Sequence, residues 1–271
     1  MPDVFFCEIL DKKVLEEDIF SIKLRCENIA KEAVTGQFLH IKCGNERILR
    51  RPISICDISG DEVRIVFEIK GEGTKWLSEC DIGQKLNVLG PLGNGFSIQK
   101  DETSKEKRVV IIGGGIGAPP MLYAAKAARA KGLAVTAILG FRNKNNCILA
   151  DEFEKVCDEV IITTDDGSVG IKGTVLSPLE KLLEEENISA VLSCGPFVMQ
   201  KAIAELAVRF KVECQVSLEE RMGCGVGACL VCACATYEHN EKAKEAKMSH
   251  VCKDGPVFSA SEIDWQSGGV L

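Results

Sequence analysis

Four cysteines carry the most specific chemistry in the sequence. Cys224, Cys229 and Cys232 follow the spacing Cys-x4-Cys-x2-Cys, and Cys252 returns from further along the chain. Three thiolates in one loop with a fourth from a distance is the plant-type arrangement for a [2Fe–2S] cluster. Bridging sulfides accept hydrogen bonds, so the backbone must wrap closely, and Gly223, Gly225, Gly227 and Ala228 leave room for it. Structural zinc is the alternative; it is usually held by two separated Cys-x2–4-Cys pairs, whereas Cys252 stands alone. Cys234 is one thiol too many and reads as a bystander.

A second constellation is Gly113-x-Gly115-x-x-Ala118, which follows the apolar run Val109-Val110-Ile111-Ile112 and opens a helical pattern. In that context glycines let a backbone approach a pyrophosphate, and the helix N-terminus favours its charge. A tight turn without a ligand is the alternative. No acidic residue ends the second strand; Phe141-Arg142-Asn143 stands there, so Arg142 could meet a 2′-phosphate and NADP stays open. Asp165 and Asp166, after the third strand, would repel such a phosphate. Ser193-Cys194-Gly195-Pro196 ends the fourth strand, beside the crevice where a nicotinamide would lie.

The third is Arg51-Pro52-Ile53-Ser54, with Gly71-Glu72-Gly73-Thr74 some way on. Arginine gives a charge-assisted contact to a diphosphate, proline fixes φ, and serine can hydrogen-bond to a flavin edge. Alone, Arg-Pro-x-Ser fits an ordinary barrel strand equally well.

These motifs need elements to position them. Up to about residue 98 the chain reads as short strands separated by turns, with alternation in Phe20-Ser21-Ile22-Lys23-Leu24-Arg25, which suits an antiparallel barrel. The charged stretch 99–108 reads as a linker. From Val109 strands and helices alternate (strands near 109–112, 134–139, 160–164 and 190–193; helices near 121–131, 151–157, 174–186 and 196–209), which predicts a parallel sheet covered on both faces. After Val216 that pattern stops. The cysteine-rich segment, with its charged insertion at 238–247, has too few large apolar residues for a core of its own, and metal ligation would supply the missing stability.

Composition excludes some functions. The formal net charge of −7 offers no basic footprint for nucleic acid. No run of 18 apolar residues occurs, since glycines and prolines break 109–128, and no signal-like segment opens the chain, so no membrane role and a cytoplasmic location are expected. Reduced thiols are expected there rather than disulfides. Cys7, Cys26, Cys43, Cys56, Cys80, Cys147, Cys157 and Cys214 read as small buried hydrophobes, and His40, His239 and His250 as surface or satisfied histidines.

Taken together, the Arg-x-x-Ser barrel and the Gly-Gly-Gly-x-Gly and Cys-Gly-Pro sheet resemble the ferredoxin–NADP reductase superfamily. Glu-Glu-Arg-Met-Gly-Cys-Gly-x-Gly-Ala-Cys at 219–229 and Cys-Lys-Asp-Gly-Pro-Val-Phe at 252–258 narrow the resemblance to the electron-transfer subunits of type B dihydroorotate dehydrogenases. The resemblance implies a multi-domain α/β plus β chain: an FAD-binding β-barrel over 1–100, an NAD-binding α/β domain over 101–216 and a small [2Fe–2S] domain over 217–271. It implies FAD on Arg51, Pro52, Ile53, Ser54, Val66, Phe67, Glu68, Gly73 and Thr74. NAD, as co-substrate, would lie on Gly113, Gly114, Gly115, Gly117, Asp165, Asp166, Cys194, Gly195 and Pro196, and the cluster on Cys224, Cys229, Cys232 and Cys252. Where relatives carry a basic residue this chain has Glu68, which points to a backbone contact there. The implied partner is an FMN-containing catalytic subunit, two copies of each chain forming a heterotetramer. Electrons from dihydroorotate, in pyrimidine biosynthesis, would pass through the cluster and FAD to NAD+, with no general acid–base dyad. The alternatives are a reductase subunit of an electron-bifurcating NADH–ferredoxin–NADP oxidoreductase, the gamma subunit of a sulfhydrogenase, and a non-enzymatic redox sensor. The first two tend toward Asp-Gly-Thr-Gly-Met-Cys-Gly where this chain has Arg221-Met222-Gly223-Cys224-Gly225, and a sensor needs neither flavin nor nicotinamide motifs.

Overall fold

The computed structural model describes residues 3–46, 48–99, 108–240 and 243–267. The expected linker lies outside the described residues apart from its two ends.

Six strands, β1 (Asp3–Glu16), β2 (Ile19–Arg25), β3 (Phe38–Ile41), β4 (Arg51–Ser59), β5 (Glu62–Glu68) and β6 (Lys85–Leu92), close an antiparallel barrel in the order β1-β2-β5-β4-β3-β6. Alternation sets the faces, as in β6, where Leu86 and Val88 turn into the barrel core. Two short helices, α1 (Glu27–Glu32) and α2 (Glu72–Glu79), interrupt the strands. Thr74 stabilises the start of α2, its Oγ1 accepting from the backbone N–H of Lys70 at 2.8 Å and of Gly71 at 3.3 Å. One expectation fails inside the barrel. Cys7 and Cys26 form a disulfide rather than two free thiols, because β1 and the end of β2 bring their Cα atoms within 5.2 Å.

The second unit is the expected parallel sheet. Its strands are β7 (Arg108–Gly114), β8 (Ala134–Phe141), β9 (Glu159–Thr164), β10 (Ile171–Lys172), β11 (Ile188–Cys194) and β12 (Glu213–Ser217), in the order β10-β9-β8-β7-β11-β12. Helices α3 (Ala118–Ala130), α4 (Ala150–Glu154), α5 (Leu176–Glu185) and α6 (Phe197–Phe210) complete it. The run in β7 is buried on both faces: Val110 and Ile112 enter one core, Val109 and Ile111 the other. Pro119 and Pro120 fall in the first turn of α3, where a missing N–H costs no helical bond. Among the described residues, two ion pairs tie sheet unit to barrel: Lys126 Nζ to Asp57 Oδ2 at 2.5 Å and Arg64 Nη1 to Glu152 Oε2 at 2.6 Å.

The carboxyl-terminal segment is less independent than its composition suggests. Its hairpin, β13 (Ala233–Asn240) and β14 (Ala243–His250), contains the described part of the charged insertion. Strand β15 (Val257–Ser259) joins the large sheet, antiparallel to β12. Met222, Cys232, Val251, Cys252 and Phe258 share one core with Val110 and Val191 of the sheet and with Phe38 and Leu92 of the barrel. The segment therefore borrows apolar area from both neighbours. Among the described residues no helix is long and apolar enough to cross a membrane.

Candidate functional site

The first cleft, of about 560 Å³, opens along β4 and β5 and is lined by Arg51, Pro52, Ile53, Ser54, Val66, Phe67, Glu68 and Thr74, all singled out in the sequence. Arg51 is already held in place: its Nη1 donates to the carbonyls of Leu49 at 2.8 Å and Arg50 at 3.1 Å. Gly73 lies off the wall and serves the arginine instead, since a Cβ there would sit 2.4 Å from Arg51 Nε. The same cleft is walled by Phe38, Lys70, Glu219, Glu220, Arg221, Met222 and Pro256, which sequence reasoning did not assign to it. Lys70 Nζ lies 2.7 Å from Glu68 Oε2. Lys70, two residues past Glu68 and just beyond the end of β5, thus brings a cation to the wall of the same cleft.

The second cleft, of about 530 Å³, lies at the carboxyl edge of the sheet, between Gly114, Gly115, Phe141, Arg142, Asp165, Gly195 and Pro196. Gly113 and Gly117 do not line it. Cβ atoms there would meet Ala118 Cα at 2.5 Å and the Cys194 carbonyl oxygen at 2.5 Å, so both glycines serve close packing of α3 on the sheet. Asp166 turns away and accepts from Ser168 N–H at 2.9 Å and Oγ at 2.6 Å, contacts that hold its carboxyl below its ordinary value. Cys194 also departs from the expected placement. Its side chain is buried in the core with Ile111 and Leu139, away from the cleft wall, and burial foremost, then Glu219, pushes its thiol up.

The two clefts share Glu68, Lys70, Ile116 and Glu219. Burial is the main cause that raises the Glu219 carboxyl, Lys70 opposes it and Glu68 adds to it. A carboxyl in that setting holds a proton more tightly than an exposed one, at the point where two ligands would meet.

The cysteine loop follows directly. Its backbone is turned toward sulfur: Val226 N–H and Ala228 N–H donate to Cys224 Sγ at 3.4 and 3.2 Å, and Gly227 N–H to Cys252 Sγ at 3.1 Å. Burial pushes the Cys224 thiol up, but these N–H groups and the Cys229 thiol outweigh it and leave the group at about 6. Cys224 faces Cys229, and Cys232 faces Cys252, whose thiol is pushed up to about 12 by burial and by Cys232. Among the described residues no three such side chains close around a single point as for one metal ion. Two facing pairs with N–H donors between them fit a binuclear iron–sulfide centre better than one zinc. Cys234 is buried in the core beside them, and burial pushes its thiol up to about 12. His40 breaks its expectation: it is fully buried, and among the described residues neither ring nitrogen has a hydrogen-bond partner. His250 Nδ1 lies 3.4 Å from Asp254 Oδ2, and the side chain of His239 lies outside the described residues.

An antiparallel barrel, a parallel sheet meeting it at a shared cleft, and a ferredoxin-like cysteine loop define a flavin–nicotinamide reductase with an iron–sulfur module. Comparison with known proteins agrees. Residues 219–264 match the family model for the iron–sulfur cluster binding domain of dihydroorotate dehydrogenase B. The electron transfer subunit of dihydroorotate dehydrogenase B (NAD(+)) from Caldanaerobacter subterraneus subsp. tengcongensis is 40% identical over 255 residues, 94% of this chain and 96% of that protein. The subunit of the same description from Fusobacterium nucleatum is 38% identical, covering 95% of this chain and 97% of its own length. The chain belongs to this family of dihydroorotate dehydrogenase B electron transfer subunits. Among solved structures, an NADH-dependent reduced ferredoxin–NADP oxidoreductase superposes with a TM-score of 0.84 at 31% identity, over 98% of this chain and 92% of that one. A flavohemoglobin from Malassezia yamatoensis with bound FAD and heme shares the fold alone, at a TM-score of 0.62 and 17% identity, over 77% of this chain and 57% of that one. The family and fold bear out an NAD-linked flavin and iron–sulfur oxidoreductase subunit, with FAD, a [2Fe–2S] cluster and NAD as its cofactors, over the other reductases weighed from sequence.

Proposed function

We propose that this chain relays electrons between an FMN-containing partner, which oxidises dihydroorotate, and NAD+. The observation that carries the reading is the junction at Glu68, Lys70, Ile116 and Glu219, where the barrel cleft opens into the sheet cleft. Bound flavin exchanges electrons singly with a cluster and in pairs, as hydride, with a nicotinamide. The chain's own work is binding and orientation. Arg51 and Lys70 offer positive charge to a flavin diphosphate, with Pro52, Ile53, Ser54, Val66, Phe67 and Thr74 shaping the cleft around it. Gly114, Gly115, Gly195 and Pro196 offer a close backbone to the nicotinamide dinucleotide, and Asp165 disfavours a 2′-phosphate nearby. Cys224, Cys229, Cys232 and Cys252 hold the cluster.

Cys229 is exposed, and Val226, Leu230 and Val231 beside it are 43%, 66% and 56% exposed. An apolar rim around the outermost ligand suits docking of the partner, which would cover it. The assembly would hold two copies of each subunit in the cytoplasm, with no nucleic-acid or membrane role. The test is a visible spectrum of anaerobically purified protein. Flavin and cluster bands that both bleach with NADH support the relay; cluster bands alone, unmoved by NADH, refute it.

A further inference from the structure

Strand β3 touches the flavin cleft and the cysteine loop with one face. Leu39 and Ile41 pack inside the barrel, so Phe38 and His40 point outward. Phe38 lines the flavin cleft. His40 lies opposite Pro52 in the strand register, behind the Arg-Pro-Ile-Ser segment. Its ring meets the cysteine loop: a Cβ on Gly225 would sit 2.4 Å from His40 Nδ1. Gly225 also has φ +75°, so only glycine fits this contact without strain.

The chemistry of the contact is unusual for filler. A neutral imidazole carries one N–H donor and one acceptor, and a buried donor without a partner is unfavourable. Among the described residues neither ring nitrogen of His40 has a partner. A leucine would fill the same space without leaving a donor facing the residue after the first ligand.

We propose that His40 is a positioning residue for the cluster, its ring N–H facing the Cys224–Gly225 turn and its ring seating the loop against the flavin strand. The proposal rests on the reading that the four cysteines hold a [2Fe–2S] cluster. A donor at that turn stabilises the more negative, reduced form, so its loss lowers the cluster's reduction potential and leaves the flavin's alone.

The experiment is an EPR-monitored redox titration of the anaerobic holoprotein as parent, His40→Leu and His40→Asn. His40→Leu is expected to retain FAD and the cluster, with the cluster potential shifted downward and the flavin potential unchanged. His40→Asn, which keeps an N–H, is expected to recover most of the parent potential. A parent-like cluster potential and EPR signal in His40→Leu overturn the proposal while leaving the functional reading intact. No cluster signal in the parent overturns both. Should His40→Leu not fold, pulsed EPR of the parent labelled with ¹⁵N-histidine decides the matter. A ¹⁵N coupling that persists in His250→Gln supports the assignment, and its absence overturns it.

Discussion

Replacing Arg51 tests the flavin cleft most directly, because the structure shows how the guanidinium is held before any ligand arrives. Its Nη1 is anchored on the carbonyls of Leu49 and Arg50, and Gly73 leaves the space the guanidinium occupies. A preorganised arginine loses little freedom on meeting a diphosphate. A hydrogen bond to a charged group contributes about 1.5–3 kcal/mol. At about 1.4 kcal/mol per tenfold, Arg51→Ala is expected to weaken FAD binding by roughly 10- to 100-fold. Arg51→Lys keeps the charge but not the fork and should fall between. Gly73→Ala, which leaves the cleft wall untouched, should displace the guanidinium and mimic part of the loss. The assay is the flavin-to-protein ratio after desalting, followed by fluorescence titration of the depleted protein with FAD. Parent-like affinity in Arg51→Ala would refute the diphosphate role, and parent-like affinity in Gly73→Ala would refute the preorganisation argument.

Two further outcomes follow from the geometry. Cys229→Ser should lose the cluster bands and electron transfer to the partner while NADH still reduces FAD; undiminished transfer to the partner would refute the wiring. Glu219, whose carboxyl is raised chiefly by burial, favours the fold while protonated, so stability is full below the ordinary carboxylate value and falls as pH rises through the raised one. Glu219→Gln should therefore match the parent near pH 4 (about the ordinary carboxylate value) and exceed it in thermal stability at neutral pH; a stability difference independent of pH would count against the burial argument.

The motifs were legible because their chemistry demands fixed spacing. Cys-x4-Cys-x2-Cys is set by the size of a cluster, and the double-sided core position of β7 by an unbroken Val-Val-Ile-Ile run. What escaped notice depends on contacts between distant segments. Strand β12 is only five residues long and carries Glu213 and Gln215, so its pairing with β15 is invisible locally. The position of Cys194 at a strand end points it toward the nicotinamide, but side-chain parity there sends it into the core. Lys70 lies two residues beyond Glu68, past the end of β5 and outside any motif, so nothing local marks it. His40 carries no local motif at all. Only the pairing of β3 with β4 and the arrival of Gly225 from far along the chain reveal what it faces.

The shared core predicts how the cysteine module should respond to loss of iron. A cysteine-rich segment that relied on metal alone would unfold on chelation, as small zinc modules do. Here the anchoring is uneven. Cys232 and Cys252 are 2% and 1% exposed and sit in a core with Val251, Phe258, Val110 and Val191, whereas Cys229, Leu230 and Val231 face solvent. Strand β15 adds backbone bonds to β12, and the barrel holds the module from the other side, Asn94 N–H donating to the Gly255 carbonyl at 2.5 Å and Asn94 Nδ2 to the Asp254 carbonyl at 2.8 Å. Opening free energies scale with the buried contacts that must be broken, so the outer half should open long before the inner half. Anaerobic chelation followed by hydrogen exchange is expected to raise deuterium uptake across 223–231 and leave 213–217 and 257–259 near the holoprotein level. Uptake rising together in all three segments would mean that the cluster, not the borrowed core, holds the module in place.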